Sequence, residues 1–242
     1  MGVTAAKAAA AKIRELASQQ PQVNIIFASA PSQNEFLAAL ASEENIDWRK
    51  VNAFHMDEYV GLPSDAPQNF GQFLKVKLFD QIGLSSVFYI NGNATASQDE
   101  CKRYAALLTQ YPTDIVCMGI GENGHIAFND PHVADFNDPE LVKVVELDLA
   151  SRNQQVNDKC FDTLNEVPTD AITLTIPALM KARFAYCMVP GPTKAQAVAN
   201  TVSQEISEAF PSTILRQHPH ATLYIDQDSS GKLEEISSFN KA

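Results

Sequence analysis

The sequence predicts an α/β fold in which a mostly parallel sheet is covered by helices on both faces. Three observations carry this: eight short apolar runs rich in β-branched and aromatic residues, six helically patterned segments between them, and 45% hydrophobic residues over 242 positions, with no low-complexity linker and no internal repeat. Alternation of strand and helix favours parallel pairing through right-handed crossovers. A single domain spanning residues 1–242 is expected.

In chain order, residues 4–18 carry apolar side chains at helical spacing and precede the first strand, Val23-Asn24-Ile25-Ile26-Phe27-Ala28. A helix over 33–41 leads to the second strand, Val51-Asn52-Ala53-Phe54. Phe70, Phe73, Leu74, Val76, Leu78 and Phe79 give 68–82 the clearest helical stripe, and Val87-Phe88-Tyr89-Ile90 follows as a strand. A helix over 98–110 then feeds the strand Asp114-Ile115-Val116-Cys117-Met118. Strands over 142–147 and 171–175 flank a helix over 153–164, and a strand over 184–189 is followed by a helix over 193–202 and a last strand over 221–225. Each run is bounded by Pro, Gly, Asn or Asp, the residues that end strands. The polar tail 226–242, with Ser229-Ser230-Gly231, reads as a surface helix or loop.

Composition excludes several classes of function. A net charge of −11 without any block of Lys and Arg speaks against nucleic acid or an anionic membrane as partner. An anionic small molecule remains compatible where a few cations gather locally. Cys101, Cys117, Cys160 and Cys187 are too far apart for a C-x-x-C zinc or redox motif, and Cys117 and Cys187 lie in apolar runs as core residues. The N-terminal residues carry neither a myristoylation signal nor a signal-peptide core, and no apolar run approaches membrane-spanning length, so the cytoplasm is the expected compartment.

In open parallel sheets, ligands bind outside the carboxyl ends of the strands. Four suggestive segments fall there: Ser29-Ala30-Pro31-Ser32, Met56-Asp57-Glu58, the glycine-rich stretch 119–125, and Pro190-Gly191-Pro192-Thr193-Lys194. Asp57 follows a buried strand, where partial desolvation suits a general base; the plainer reading is a helix cap or a loop charge. Glu58 leaves the strand in the opposite direction and is expected to make a structural hydrogen bond or salt bridge. His125 sits in a turn whose Gly119, Gly121 and Gly124 allow close approach or positive φ, and Asn123 and Asp130 are placed to hold its imidazole in one tautomer. Lys194 opens a helix after a Pro-Gly-Pro turn, a setting that attracts anions, and Ser29 and Ser32 can donate to phosphate oxygens. Arg152 and Lys159 are further cationic candidates that serve equally well as solvent-exposed charges. The G-x-G-x-x-G spacing at 119–124 imitates a dinucleotide fingerprint, but Pro131 ends any helix that starts after Gly124, where a dinucleotide fold would open a long one. No phosphate-binding G-x-x-x-x-G-K-[ST] loop occurs.

These loops resemble the glucosamine-6-phosphate deaminase family, also called glucosamine-6-phosphate isomerase. The likeness rests on F-H-M-D-E-Y-V-G-L-P at 54–63 and G-I-G-E-N-G-H-I-A-F-N-D-P at 119–131, with support from 167–174 and 190–195, and it covers about residues 23–226. It implies a Rossmann-like sheet and a reaction without metal or cofactor, in which an amino sugar phosphate becomes a ketose phosphate and ammonia. By that resemblance Asp57 moves a proton between C2 and C1. His125 assists ring opening, oriented by Asn123 and Asp130, while Lys194, Ser29 and Ser32 hold the phosphate, with Arg152 or Lys159 as a further contact. Self-association is also expected from the family. Many relatives carry Asp at position 123 and Glu at 130, and a glycine- and threonine-rich P-T-G-x-T-P where this chain has Ala28-Ser29-Ala30-Pro31-Ser32-Gln33. Two alternatives stand beside this reading. A 6-phosphogluconolactonase shares the Gly-His loop but usually continues toward Ser-Leu-Phe-Pro, whereas this chain continues Ile126-Ala127-Phe128-Asn129-Asp130-Pro131; a non-catalytic sugar-phosphate sensor would not need both Asp57 and His125.

Overall fold

The computed structural model describes residues 1–63 and 65–233, so residues 234–242 of the polar tail lie outside the described part. The strands are β1 (Val23–Phe27), β2 (Val51–His55), β3 (Asp57–Tyr59), β4 (Ser86–Phe88), β5 (Ile115–Met118), β6 (Val142–Glu146), β7 (Asp170–Leu174), β8 (Phe184–Val189) and β9 (Ala221–Ile225). The helices are α1 (Gly2–Gln19), α2 (Asn34–Ala41), α3 (Phe70–Lys77), α4 (Ser97–Gln110), α5 (Leu149–Asn157), α6 (Ile176–Met180) and α7 (Ala195–Ser203).

Six strands form an all-parallel Rossmann-like sheet in the order β4-β2-β1-β5-β8-β9, with β1 at its centre. Every residue of β1 is buried, because both faces are covered and successive side chains enter opposite cores. Ile25 and Phe27 meet α1 through Ala6, Ala9, Ala10 and Ile13, and α2 through Phe36, Leu37 and Leu40. On the other face Ile26, Phe54 and Val116 pack with Tyr104 of α4 and with Ala197 and Val198 of α7. Full burial of one such large apolar side chain is worth about 1.5–3 kcal/mol. Cys117 and Cys187 are core residues whose thiols burial pushes far up. Among the described residues no helix is long and apolar enough to cross a membrane.

Three expectations need correction. The eight predicted strands do not share one sheet: β3, β7 and β6 form a separate antiparallel sheet, and β3 is a ninth strand the sequence does not announce. Although β6, α5 and β7 look like a parallel crossover unit, the chain returns beside β6 in the opposite direction, with Val142 opposite Leu174 and Glu146 opposite Asp170. The helix expected over 153–164 is α5, which begins earlier because Asp148 caps it by accepting from Ser151 N at 2.7 Å. It ends at Asn157, two residues before Lys159 takes a left-handed φ of 59°. The short α6 and the 3-10 turn Pro211–Gln217 also went unforeseen, the former opened by Thr175, whose hydroxyl accepts from Ala178 N.

Candidate active site

The carboxyl ends of β1, β2, β5 and β8 converge on one cleft, open to solvent at its mouth. Ser29 reaches it from the loop after β1, and Ser32 and Gln33 from the 3-10 turn Pro31–Gln33. Asp57 lines it from the first position of β3, Gly119, Gly121 and His125 from the loop after β5, and Lys194 from the turn after β8. Gln154 and Gln155 come from α5 and were not anticipated. Phe70 and Phe128 supply apolar wall.

The histidine is held from one side only. His125 Nδ1 lies 2.7 Å from Asn123 Oδ1, 2.9 Å from Ser151 Oγ and 3.1 Å from Asp130 Oδ1. Neither the carboxamide oxygen nor the carboxylate can donate, so Nδ1 carries the proton, and the lone pair of the neutral ring is on Nε2, on the edge away from these oxygens. Ser151 donates its own hydroxyl proton to Asp130 Oδ1. Burial works to raise the Asp130 carboxyl, but the bond and charge of His125, with Asn123 and Ser151, hold it well below the usual carboxylate range. Two glycines make the loop feasible. A Cβ on Gly121 would fall 2.1 Å from His125 Cε1, so the imidazole lies directly on that backbone; Gly124 takes a φ of 87°.

Asp57 is 7% exposed, and its carboxylate accepts no hydrogen bond from a described residue. Burial, with the charge of Glu58 as a second cause, pushes it well above its usual range. Glu58 turns the other way and accepts from Tyr59 N at 3.0 Å, Phe70 N at 3.0 Å and Gly71 N at 2.9 Å, pinning β3 to the free N–H groups of the first turn of α3. Burial outweighs these donors and pushes its carboxyl up to about 7. His55 fixes the backbone under Asp57: Nδ1 donates to Asp57 O at 2.8 Å, while Nε2 accepts from Ile90 N at 2.9 Å.

Three further residues of the cleft lining suit an anion. Lys194 is 4% exposed yet makes no ion pair among the described residues; burial lowers its pKa, opposed by the more distant charges of Asp158 and Glu122. Ser29 Oγ is buried without a hydrogen-bond partner. Ser32 Oγ accepts from Gln33 Nε2 at 3.2 Å, which leaves its own proton free to donate. Arg152 is not part of the cleft. Its guanidinium donates to the carbonyls of Leu164 at 2.8 Å and Val167 at 2.9 Å, so it ties the segment after α5 to that helix. Exposed Lys159 lines an adjoining cavity that shares Ser29, Ala30, Phe70 and Gln155 with the cleft. Asp130, His132 and Asp148 bring three donor atoms within 4.8 Å of one another, but all four carboxylate oxygens already accept hydrogen bonds from protein groups, the pattern of a polar network rather than of a metal cage.

The family described as glucosamine-6-phosphate isomerases/6-phosphogluconolactonase matches residues 1–224. The glucosamine-6-phosphate deaminases of Bacillus cytotoxicus and Bacillus cereus are 36% and 37% identical over 187 residues, which is 77% of this chain and 70% of theirs. A monomeric glucosamine-6-phosphate deaminase superposes with a TM-score of 0.86 at 29% identity, over 95% of this chain and 94% of that one. The 6-phosphogluconolactonase of Thermotoga maritima gives 0.73 at 17% identity, over 91% and 92%, a likeness of fold alone. A glycine-bedded histidine and a buried aspartate at the ends of parallel strands, in a chain matched over nearly its whole length, place this protein in the glucosamine-6-phosphate isomerase/6-phosphogluconolactonase family.

Proposed function

We propose that this chain, acting as one domain, converts a hexosamine 6-phosphate, with D-glucosamine 6-phosphate favoured, and water to a ketose 6-phosphate and ammonia. One observation carries the reading: a buried carboxylate and a buried lysine, neither with a hydrogen-bond or ion-pair partner among the described residues, line the same cleft as an imidazole presenting Nε2. His125 passes a proton to and from the ring oxygen as the sugar opens. Asp57 then takes the proton from C2 of the open-chain aldehyde and returns it to C1. The double bond moves to C2–N, and water hydrolyses the resulting imine to the ketone with release of ammonia. Proton and electron pair stay on the substrate, so the sequence of steps calls for no external oxidant or reductant. Lys194, Ser29 and Ser32 seat the phosphate, with Lys159 approaching from the adjoining cavity and Gln154 and Gln155 offering amides to sugar hydroxyls.

The lactonase alternative finds less support, because its structural relatives are distant in sequence. The deaminase that superposes well is described as monomeric, which lends no support to the self-association expected from the family; sedimentation gives the mass directly. The test of the reaction is to supply glucosamine 6-phosphate, galactosamine 6-phosphate and 6-phosphogluconolactone separately and follow ammonia, ketose and acid. Ammonia from an amino sugar supports the reading, and Asp57→Asn is expected to lower its release by roughly 10³-fold or more while leaving the protein folded. Acid from the lactone without ammonia would instead identify a lactonase, and binding without turnover a sensor.

A further inference from the structure

The first turn of α5 reaches back into the histidine network through a residue outside the cleft. Asp148 uses Oδ1 to cap α5, accepting from Ser151 N at 2.7 Å, and Oδ2 to accept from Asn123 Nδ2 at 3.2 Å. The same Nδ2 donates to Asp130 Oδ1 at 3.0 Å. A carboxamide is nearly symmetric in shape, so its orientation follows from its partners. With two carboxylates on one side, the NH2 end of Asn123 must face them, and its oxygen is turned to His125, where it accepts from the backbone N at 3.1 Å and meets Nδ1 at 2.7 Å.

We propose that Asp148 is a positioning residue of this site: by accepting from Asn123 it fixes the carboxamide with its oxygen toward His125, which keeps Nδ1 protonated and leaves Nε2 to exchange protons in the cleft. The same contacts mean that positions 123 and 148 tolerate one carboxylate between them. An aspartate at 123 would set a negative oxygen where Nδ2 now stands, 3.0 Å from Asp130 Oδ1 and 3.2 Å from Asp148 Oδ2. Charged and titratable groups around the imidazole are Asp130 in its own loop, Asp148 at the start of α5, Glu122 beside Asn123, and Asp57 and Lys194 in the lining of the same cleft.

The kinetic consequence rests on the deaminase reading; the orientation does not. The experiment compares the intact protein with Asp148→Asn, Asn123→Asp and the double variant Asn123→Asp/Asp148→Asn. Asparagine is as good a helix cap as aspartate, so Asp148→Asn preserves α5. Two quantities are read: the protonation midpoint and tautomer of His125 by NMR on histidine-labelled protein, and the pH dependence of kcat and KM with glucosamine 6-phosphate. Asp148→Asn is expected to lower kcat about 10-fold with KM within about twofold, and to shift the His125 midpoint downward as a neighbouring negative charge is lost. Asn123→Asp is expected to raise the midpoint, as a negative charge is added beside the ring, and to lower kcat/KM by about 10-fold or more. Adding Asp148→Asn to it should recover a large part of kcat/KM, where independent losses would lower it further. The proposal is overturned if Asp148→Asn leaves kcat and the His125 midpoint unchanged, or if the kcat/KM losses of the two singles simply multiply in the double variant. Loss of ammonia release in the unsubstituted protein would instead sink the reaction assignment, and the NMR readings would still decide the role of Asp148.

Discussion

Gly121 shows how tightly the residue scale is drawn. A methyl group there would lie 2.1, 2.2 and 2.3 Å from Cε1, Nε2 and Nδ1 of His125, and no rotation of a flexible chain end relieves a contact with the ring itself. Gly121→Ala must therefore displace the imidazole. Misplacing a reacting group by about 1 Å lowers turnover about 10²-fold, so kcat with glucosamine 6-phosphate should fall by about that factor while the folded core persists. Activity within threefold of the parent would contradict the placement of the ring. Asp57, Asn123, His125, Asp130, Ser29, Ser32 and Lys194 were legible in the sequence because each stands in a polar break beside an apolar strand. Asp148 and Ser151 were not, because the predicted helix start at 153 missed the cap at Asp148; Gln154 and Gln155 fell inside the predicted helix, but its pattern does not tell which face it turns to the cleft. Arg152 lies on that same helix but points to the carbonyls of Leu164 and Val167, a distinction that charge alone cannot reveal.

At the scale of elements, the decisive junction is the passage from β2 to β3, where the chain leaves the parallel sheet at His55 and joins the antiparallel one at Asp57. Three residues reading Asp-Glu-Tyr carry no strand signal of their own; their extension comes from pairing with β7, which the sequence cannot show. His55 braces that junction with a donor and an acceptor, and it is fully buried. Burial pushes its pKa from 6.5 down to about 4, against smaller upward effects of the Asp57 carbonyl and Glu100. Between those two values the unfolded chain binds the proton and the folded one does not, so this residue's contribution to stability is complete above about pH 6.5 and is lost as pH falls toward 4. Asp57 and Glu58 push the other way, since their raised pKa values favour the folded state at lower pH. The clean measurement is thus a difference: the stability gap between the parent and His55→Gln in urea should narrow by on the order of 2–3 kcal/mol between about pH 7.5 and about pH 4.5. A gap independent of pH would show that His55 does not stay neutral in the fold.

At the scale of the whole molecule, the parallel sheet was readable because β1, β2, β5 and β8 are apolar on both faces and alternate with helices; the second sheet was not, because strand signals do not encode the direction of pairing. The turn after β8 buries Lys194, which has no ion-pair partner among the described residues, in a protein of net charge −11. A buried ammonium without a counter-ion destabilises the folded state, and an anion that binds beside it stabilises that state by mass action. Inorganic phosphate, at a fixed ionic strength set with chloride, should therefore raise the Tm, reaching about 2.7 kcal/mol of stabilisation when its concentration is about a hundredfold above its dissociation constant. Lys194→Met removes the charge while keeping the unbranched stem, so its Tm without phosphate should equal or exceed the parent's, and its response to phosphate should vanish. An undiminished response in that variant would move the anion seat away from Lys194, toward the adjoining cavity and Lys159.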